Sequence, residues 1–398
     1  PDKRSIAVLP FDNMSGDPEQ EYFADGITED LITALSKIRW LFVIARNSTF
    51  TYKGRAVEVK QVASELGVRY VLEGSVRTAG NRMRISAQLI DATTGHHVWA
   101  ERYDREPKDI FDLQDEMTQT IAAAVEPEVG AAERDRALRK PPENLDAWET
   151  YQRGLWHMLS FAKDDNIEAR RLFRRAQELD PRFATAYAHE SYAHYVNVIM
   201  GYAEAPDESL AAAVTAAKKA LALDDKDPMG HFALGRAYMM QGEHDESIAE
   251  LKTSLTLNPN FALAYHGLGF VLTLSGQLEE AAKMQKNAMR LSPRDPLTWA
   301  FTVVHSLTCI LLREYEAAAD WARRTMRDPR DTGYWPHATL ASALGNLGQS
   351  EDARAAVDEA LRQKPDLSLS YLEKTMPTKE PGGLKPYLDD LRVAGLPE

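Results

Sequence analysis

Two different spacings of hydrophobic residues divide the chain. Up to about residue 130, short apolar runs and alternating segments typical of β-strands are separated by stretches in which apolar residues recur every three or four positions. From about residue 145 the strand patterns stop and amphipathic helical patterns follow one another. We therefore predict an α/β region followed by an all-α region.

The first region predicts the element order β-α-β-α-β-β-β-α. Strand patterns occur in "SIAVLPF", "LFVIARNSTF", "RMRISAQLID" and "HVWAERYD", and helical stripes follow the first two and the last. The alternation in "RMRISAQLID" is typical of a half-buried antiparallel strand. Gly67 closes the second helical stripe as an expected C-cap. This order implies one mixed sheet with flanking helices.

The second region has a repeat of 34 residues. Pro259 and Pro293 are 34 positions apart, and each closes a segment with Leu-Gly near its start and small residues in its second half. The segment that ends at Pro365 follows the same frame. A 34-residue helix-turn-helix period that ends in proline is the tetratricopeptide pattern. Looser copies flank these three, so about six units forming a superhelical solenoid are expected.

These patterns give the following expected boundaries. Residues 1–132 form the α/β domain and residues 133–145 a linker. Residues 146–366 form the solenoid, and residues 367–398 form a capping tail.

The segment "DNMSGDPEQ" stands between the first strand and the first helix, where many phosphate loops lie. It has one glycine and no lysine, and its acidic residues would repel phosphate. We predict a helix cap at Asp17 with Pro18 in the first turn. A cation site at Asp12, Asn13 and Asp17 is the alternative, although the spacing matches no common ligand pattern.

Other candidates for chemistry are weak. Adjacent strand residues point to opposite faces, so His96 and His97 do not readily share a metal. His189 and His194 are five apart on a helix, which misses the four-residue spacing of helical ligand pairs. Cys309 lies in an apolar helical pattern and is read as a core residue. We expect no catalytic residues, no metal site and no cofactor in this chain.

Composition adds limits on partners and location. The net charge of −13 is divided about evenly between the two regions, which argues against a nucleic-acid-binding surface. No apolar run reaches the roughly 18–20 residues that cross a bilayer. The chain begins "PDKRS" without an initiator Met, as expected of part of a longer protein.

A resemblance covers nearly the whole chain. The blocks "SIAVLPFDNMSGDPEQEYFADGITEDLITALSKI", "LFVIARNSTFTYKG", "VASELGVRYVLEGSVR", "RISAQLIDATTGHHVWAERYDR" and "IFDLQDEMTQTIAAAV" resemble the TolB amino-terminal-like domain. Together with the tetratricopeptide repeats, they resemble the carboxy-terminal region of bacterial class III adenylate/guanylate cyclases. A similar pair follows a winged-helix domain in some membrane-anchored transcription regulators.

The resemblance implies a signalling function without catalysis in this chain. The paired metal-binding aspartates and the catalytic Asn/Arg pair of a cyclase domain are not found in the sequence. We expect a non-catalytic sensor, scaffold or dimerisation region of a bacterial cyclase, with the transcription-regulator sensor as the alternative. A third hypothesis is a small-ligand receptor. A tether to the inner membrane upstream of residue 1 is left open, as is the side of the membrane.

The expected binding surface is the concave groove of the repeats. In tetratricopeptide units, the second, fifth, ninth, twelfth and thirteenth positions of the first helix usually face this groove. These and comparable positions are Tyr192, Tyr195, Met229, Phe232, Arg236, Met239, Met240, Leu263, His266, Phe270, Leu274, Trp335 and Asn346. Such a Met- and aromatic-rich groove suits an apolar helix or strand of a protein partner, or a second copy of the chain. The alternative is that these residues are buried against neighbouring helices or the tail.

Overall fold

The computed structural model divides the chain into two compact units, Pro1–Asn144 and Leu145–Glu398. It describes residues 4–16, 20–55, 57–80, 82–106, 110–139, 145–293, 295–327, 333–380 and 382–398. The architecture is a mixed sheet with flanking helices followed by an array of helix pairs, as the sequence predicted.

The first unit contains six strands and four α-helices among the described residues. The strands are β1 (Ser5–Val8), β2 (Asp12–Asn13), β3 (Phe42–Val43), β4 (Tyr70–Ala79), β5 (Arg82–Asp91) and β6 (His96–Arg105). The helices are α1 (Gln20–Leu35), α2 (Arg46–Thr49), α3 (Val59–Leu66) and α4 (Ile110–Leu138). The predicted helix cap at Asp17 and Pro18 lies outside the described residues.

The sheet order is β3-β1-β4-β5-β6, with β2 also paired to β4. The pairs of β1 with β3 and β4 are parallel, whereas β4, β5 and β6 form an antiparallel meander. Apolar residues of β5 alternate inward and, with those of β4, form the main core beneath α1 and α4. Helix α3 covers part of the opposite face. The alternation in the sequence therefore follows the two faces of the sheet.

The second predicted strand, "LFVIARNSTF", is mostly not a strand. Only Phe42–Val43 pairs with β1, and Arg46–Thr49 forms a turn of helix. The polar residues of this turn form local hydrogen bonds. The Thr49 hydroxyl, for example, donates to the Arg46 carbonyl at 3.1 Å. Such local bonds compete with strand pairing at the edge of a sheet. By contrast, the C-cap predicted at Gly67 is confirmed, with φ of 69° in the left-handed region.

Helix α4 extends past the expected start of the linker. It runs to Leu138, and Glu133 within it is 3 % exposed. Glu133 accepts hydrogen bonds from Arg69 Nη1 at 2.8 Å and from the Tyr70 hydroxyl at 2.7 Å. This buried cluster joins the last part of α4 to the start of β4.

The second unit contains six helix pairs within the described residues. The first helices of the pairs are α5 (Ala147–Met158), α7 (Ala184–Ile199), α9 (Pro228–Gln241), α11 (Ala262–Leu274), α13 (Thr298–Leu311) and α15 (Trp335–Asn346). The second helices are α6 (Lys163–Leu179), α8 (Pro206–Leu223), α10 (His244–Leu257), α12 (Leu278–Leu291), α14 (Tyr315–Thr325) and α16 (Ser350–Gln363). Two further helices follow, α17 (Leu369–Thr375) and α18 (Lys385–Ala394).

The first helices form the inner layer of the array. Consecutive first helices from α7 onward contact one another directly, and each second helix up to α14 packs between the first helix of its own pair and that of the next. Small residues permit this close packing: a Cβ added at Gly235 would lie 2.8 Å from Leu251 Cγ. Helix α18 packs against α15 and α16 at the end of the array.

The turn within each pair contains one residue in the left-handed backbone region. The six residues and their φ angles are Phe161 (55°), Gly201 (71°), Gly242 (80°), Gly276 (74°), Arg313 (63°) and Gly348 (77°). Glycine adopts this conformation without a steric penalty, but phenylalanine and arginine do not. The first and fifth turns are therefore strained in a way that the other four are not.

Candidate protein-binding site

The predicted groove residues lie on the inner layer but are mostly buried. Eleven of the thirteen are buried, Leu263 is half-buried and Asn346 is exposed. Phe232, for example, is fully buried and packs between the rings of Tyr192 and Phe261, at centroid distances of 5.2 and 5.4 Å. This burial corresponds to the alternative in which neighbouring helices cover these positions.

Six of the predicted residues come together around one cavity of about 60 Å³. They are Tyr192, Tyr195, Arg236, His266, Phe270 and Trp335. These residues come from four different first helices, α7, α9, α11 and α15. We call this space, defined by these six side chains and by α13, the inner cavity.

The sequence analysis did not predict the residues that form the far wall of the inner cavity. It consists of Trp299, Val303 and Val304 on α13, and of Phe161 in the turn after α5. The rings of Phe161 and Trp299 meet edge to face at a centroid distance of 5.5 Å. This contact joins the first repeat to the fifth. Extending the repeat frame to α13 would have identified Trp299, but no sequence signal places Phe161 beside it.

Arg236 is the one cation among the residues that line the inner cavity. It is 2 % exposed, and its Nη2 donates to the Tyr195 hydroxyl. Its guanidinium carbon lies 4.4 Å from the ring centroid of Tyr195 and 5.2 Å from that of Phe270. Its Nη1 lies 3.8 Å from the sulfur of Met239. The charge is therefore held mainly by π-systems and sulfur.

His266 is neutral beside this charge. Burial lowers its pKa to about 3, and the positive charge of Arg236 contributes to the decrease. Its Nδ1 donates to Gln285 Oε1 at 3.1 Å, since a carbonyl oxygen only accepts. Gln285 Nε2 in turn donates to the His266 carbonyl at 3.1 Å. The imidazole is thus fixed as part of the wall.

The remaining predicted residues do not line the inner cavity. Met229 and Met240 are buried on α9. The Leu274 carbonyl accepts from the Lys379 amide at 3.0 Å. Asn346 Nδ2 donates to the Ser342 carbonyl at 3.0 Å, on the side of α15 that meets α18.

The segment 369–380 contacts the start of α10 and the end of α11. His244 Nε2 donates to the Pro377 carbonyl at 2.9 Å, and Lys379 pairs with Asp245 at 2.5 Å. Near the start of the segment, Tyr371 packs edge to face on Tyr334 at 6.2 Å. We call residues 369–380 the C-terminal strap. Its contacts with α10 and α11 hold it against the repeat array.

The other side chains considered for catalysis or metal binding each contact different partners. His189 Nδ1 contacts the Thr185 carbonyl at 3.0 Å, whereas His194 Nδ1 lies 3.1 Å from Ser209 Oγ. Burial raises the pKa of the Cys309 thiol to about 12. Burial also lowers the pKa of His194 and of His305 to about 4. Within the described ranges, no group of three or more His, Cys, Asp or Glu side chains is arranged to hold a metal ion.

The opening segment forms a corner in the part that the structure describes. Asp12 and Asn13 pair with Ser75 and Val76 of β4. The Ser15 amide donates to Asn13 Oδ1 at 3.0 Å, which is a local turn bond. The Asp12 and Asn13 pair thus begins a turn beside the sheet.

The first unit has a larger cavity on its outward sheet face, of about 730 Å³. Its polar lining residues are Asp12, Tyr52, Arg55, Glu73, Ser75, Ser86, Gln88, Glu101 and Arg102. Some of the polar positions that alternate along "RMRISAQLID" belong to this surface. The sequence analysis did not predict them as binding residues. Charges of both signs line the cavity, so the lining itself favours no single class of ligand.

No helix in the described part of the chain has both the length and the hydropathy needed to cross a membrane.

Comparisons with known proteins match both regions. The family model "HilA/YgeH-like transcriptional regulator, second domain" matches residues 2–120, and the model "TPR repeat" matches residues 235–275. A protein of Rhizobium meliloti (strain 1021) named "Putative adenylate cyclase 3" is 49 % identical over 247 residues. That match covers 62 % of this chain, which spans only 42 % of the relative's length.

Solved structures give weaker likenesses. The Cut9-Hcn1 hetero-tetramer of the APC/C is 17 % identical, covers 72 % of this chain and 49 % of its own, and has a TM-score of 0.49. TolB from Acinetobacter baumannii is 16 % identical, covers 31 % of this chain and 28 % of its own, and has a TM-score of 0.24. The second unit is thus a tetratricopeptide-like array of helix pairs, of which residues 235–275 match the repeat model.

Proposed function

We propose that this chain is the non-catalytic regulatory and protein-interaction region of a bacterial adenylate/guanylate cyclase signalling protein. The observation that carries the proposal is the 49 % identity over 247 residues to a protein named as a putative adenylate cyclase. The chain spans 42 % of that relative, which leaves room there for a separate catalytic region. The tetratricopeptide array supports the interaction function, because such arrays present extended binding surfaces.

The proposed mechanism acts through the pairing of chains. Class III cyclases form their active site between two catalytic domains, as the resemblance implies. A linked region that pairs two chains raises the effective concentration of one catalytic domain at the other. A change in that pairing then changes cyclic nucleotide synthesis without any reactive group in this region. The first unit, with its TolB-like resemblance, is the proposed sensor.

The proposed docking surface is the edge of the inner layer where the C-terminal strap lies. Leu274, one of the predicted groove residues, is buried and its carbonyl accepts from the Lys379 amide, so a partner segment would gain access there by replacing the strap. Part of the attachment of the strap is weak. The Lys379 side chain is 38 % exposed and its partner Asp245 is 74 % exposed, and exposed ion pairs contribute little to stability. A helix or strand of a second chain is the proposed occupant.

A charge reversal tests this surface. Lys379→Glu replaces the attraction to Asp245 by repulsion between two carboxylates, so we expect it to loosen this end of the strap and to increase self-association, measured by light scattering over a concentration series. Asp245→Lys combined with Lys379→Glu restores the ion pair and should restore the original association. The matched control is Lys385→Glu, which breaks an exposed pair with Asp389 on α18, away from the strap. A chain that stays monomeric in every variant contradicts the proposed pairing.

The link to a cyclase is tested in the full-length protein. We expect strap variants to change the rate of cyclic AMP formation while leaving the catalytic sequence intact. Equal rates of cyclic AMP formation for the original protein and the Lys379→Glu variant would show that the strap does not control catalysis.

A second candidate function is the sensor region of a membrane-anchored winged-helix transcription regulator. The match of residues 2–120 to the second domain of HilA/YgeH-like regulators favours it. The two functions predict different effector domains in the full-length protein. A cyclase catalytic domain there supports the first, and a winged helix supports the second. The same sequence shows whether an inner-membrane anchor is present.

A further inference from the structure

Arg236 is a buried cation without a carboxylate partner among the described residues. Its side chain lines the inner cavity and is 2 % exposed, and its Nε has no hydrogen-bond partner. The two terminal nitrogens reach the Tyr195 hydroxyl and the Met239 sulfur. A guanidinium has five N–H donors, so this set leaves donor capacity unused.

Burial of such a charge is costly. A buried ion normally has an opposite charge or a full set of hydrogen bonds, because removal from water without them is strongly unfavourable. The rings of Tyr195 and Phe270 offset part of the cost through cation–π contacts. None of the described residues that line the cavity is acidic. The charge is therefore available to an anion from outside the chain.

The other residues that line the inner cavity indicate the chemistry of the uncharged part of a ligand. Trp299, Val303 and Trp335 present apolar surface, and His266 is neutral because burial lowers its pKa. An ion with no apolar part would leave this surface without a partner. A molecule with a charged end at Arg236 and an apolar body against α13 and Trp335 satisfies both parts of the lining.

We infer that the inner cavity is a binding site for a carboxylate carried on a short apolar group, with Arg236 as its anchor. The volume of about 60 Å³ holds roughly four to six water-sized groups, which corresponds to a carboxylate on one to three carbons. Arginine suits this chemistry, because its planar fork matches a carboxylate with two parallel bonds. The inference does not depend on the proposed cyclase or regulator function.

A ligand series on the unmodified chain tests the site. Acetate, propionate and butyrate are titrated while the total tryptophan fluorescence, to which Trp299 and Trp335 of the lining contribute, and the thermal unfolding temperature are measured. For ligands of this size we expect a Kd on the order of 0.1–10 mM. Propionamide and 1-propanol have similar shapes without the charge, and we expect at least about tenfold weaker binding of both. Equal binding of propionate and propionamide, or no saturable binding of any acid, would overturn the site.

Variants then assign the anchor. Arg236→Met removes the charge and keeps an unbranched apolar stem, and we expect it to lower propionate affinity at least about tenfold while the unfolding temperature is kept or raised. Tyr195→Phe removes an acceptor that occupies one guanidinium nitrogen, and we expect its propionate affinity to equal or exceed that of the original chain. Unchanged propionate affinity in Arg236→Met would refute the assignment.

The carboxylate has two possible sources, a free acid or the end of a peptide. A short peptide that ends in alanine supplies the same group, and its C-terminal amide is the control. Binding of the free acid alone identifies a metabolite site, whereas binding of the peptide acid but not of its amide identifies recognition of a chain terminus. If neither source binds, the inference fails.

Discussion

Replacement of Glu133 by glutamine tests the buried cluster that joins α4 to the sheet. The pair of Arg69 and Glu133 has side chains that are 9 % and 2 % exposed, and their nitrogen and oxygen are 2.8 Å apart. Glutamine has nearly the same shape and still offers an oxygen to the Tyr70 hydroxyl. The substitution therefore removes the negative charge and leaves the Arg69 cation buried.

The expected loss of stability follows from the burial of the Arg69–Glu133 ion pair. Breaking a buried ion pair by removing one partner costs about 3–5 kcal/mol, because the remaining charge has lost its compensation. For a unit of this size, that loss lowers the unfolding temperature by roughly 10–20 °C. The matched control is Asp104→Asn, which breaks the Arg84–Asp104 pair on the same sheet, where the side chains are 47 % and 49 % exposed. We expect a much smaller change from the control, because water screens that pair.

The assay is differential scanning calorimetry of the whole chain, with Trp40 and Trp99 as fluorescent reporters of the first unit. A second variant, Arg69→Met with Glu133→Leu, removes both charges and should recover most of the lost stability. The reasoning is refuted if Glu133→Gln and Asp104→Asn lower the unfolding temperature equally. It is also refuted if the double variant is as unstable as Glu133→Gln.

Four further predictions concern single residues. Gly74→Ala should destabilise the first unit by about 1–3 kcal/mol in urea unfolding, because the added Cβ would lie 2.5 Å from Phe11 Cζ; an unchanged midpoint contradicts this. Arg313→Gly should stabilise the array by about 0.5–1 kcal/mol, because φ is 63° there, and a loss of stability would show that the backbone is unstrained. The pKa of His305 is lowered to about 4 by burial, so only the unfolded chain gains a proton as pH falls from about 6.5 to 4. The urea midpoint of the array should therefore fall over this range, and less steeply in His305→Gln; equal slopes refute the contribution. Cys309 should resist iodoacetamide until the array unfolds, because burial raises its pKa to about 12, and rapid labelling of the native chain disproves this.

Much of the fold was predictable because its signals are local. The alternation in β5 arises from the two faces of a strand, and Gly67 ends α3 because only glycine adopts φ of 69° at no cost. The second strand was predicted too long, because "LFVIARNSTF" is apolar enough for a strand while only Phe42–Val43 pairs and Arg46–Thr49 forms its own hydrogen bonds. Local propensity alone does not decide between these outcomes.

The candidate site was predictable in part. The repeat frame placed Arg236, His266 and Trp335 on the inner layer, because each repeat puts equivalent positions on the same side. It did not identify Phe161 or the C-terminal strap, whose contacts join residues more than a hundred positions apart. Such contacts depend on the accumulated rotation between repeats, which no single repeat specifies.

The sequence by itself determined the two regions and the period of the array, because each depends on the spacing of side chains within one strand or one helix pair. Only the tertiary structure decided that the inward residues are packed around a cavity of about 60 Å³ rather than exposed along an open groove. The physical reason is the summation of small rotations. Each repeat turns slightly relative to the last, and only the whole array brings the Phe161 ring to 5.5 Å from Trp299 and encloses the Arg236 charge.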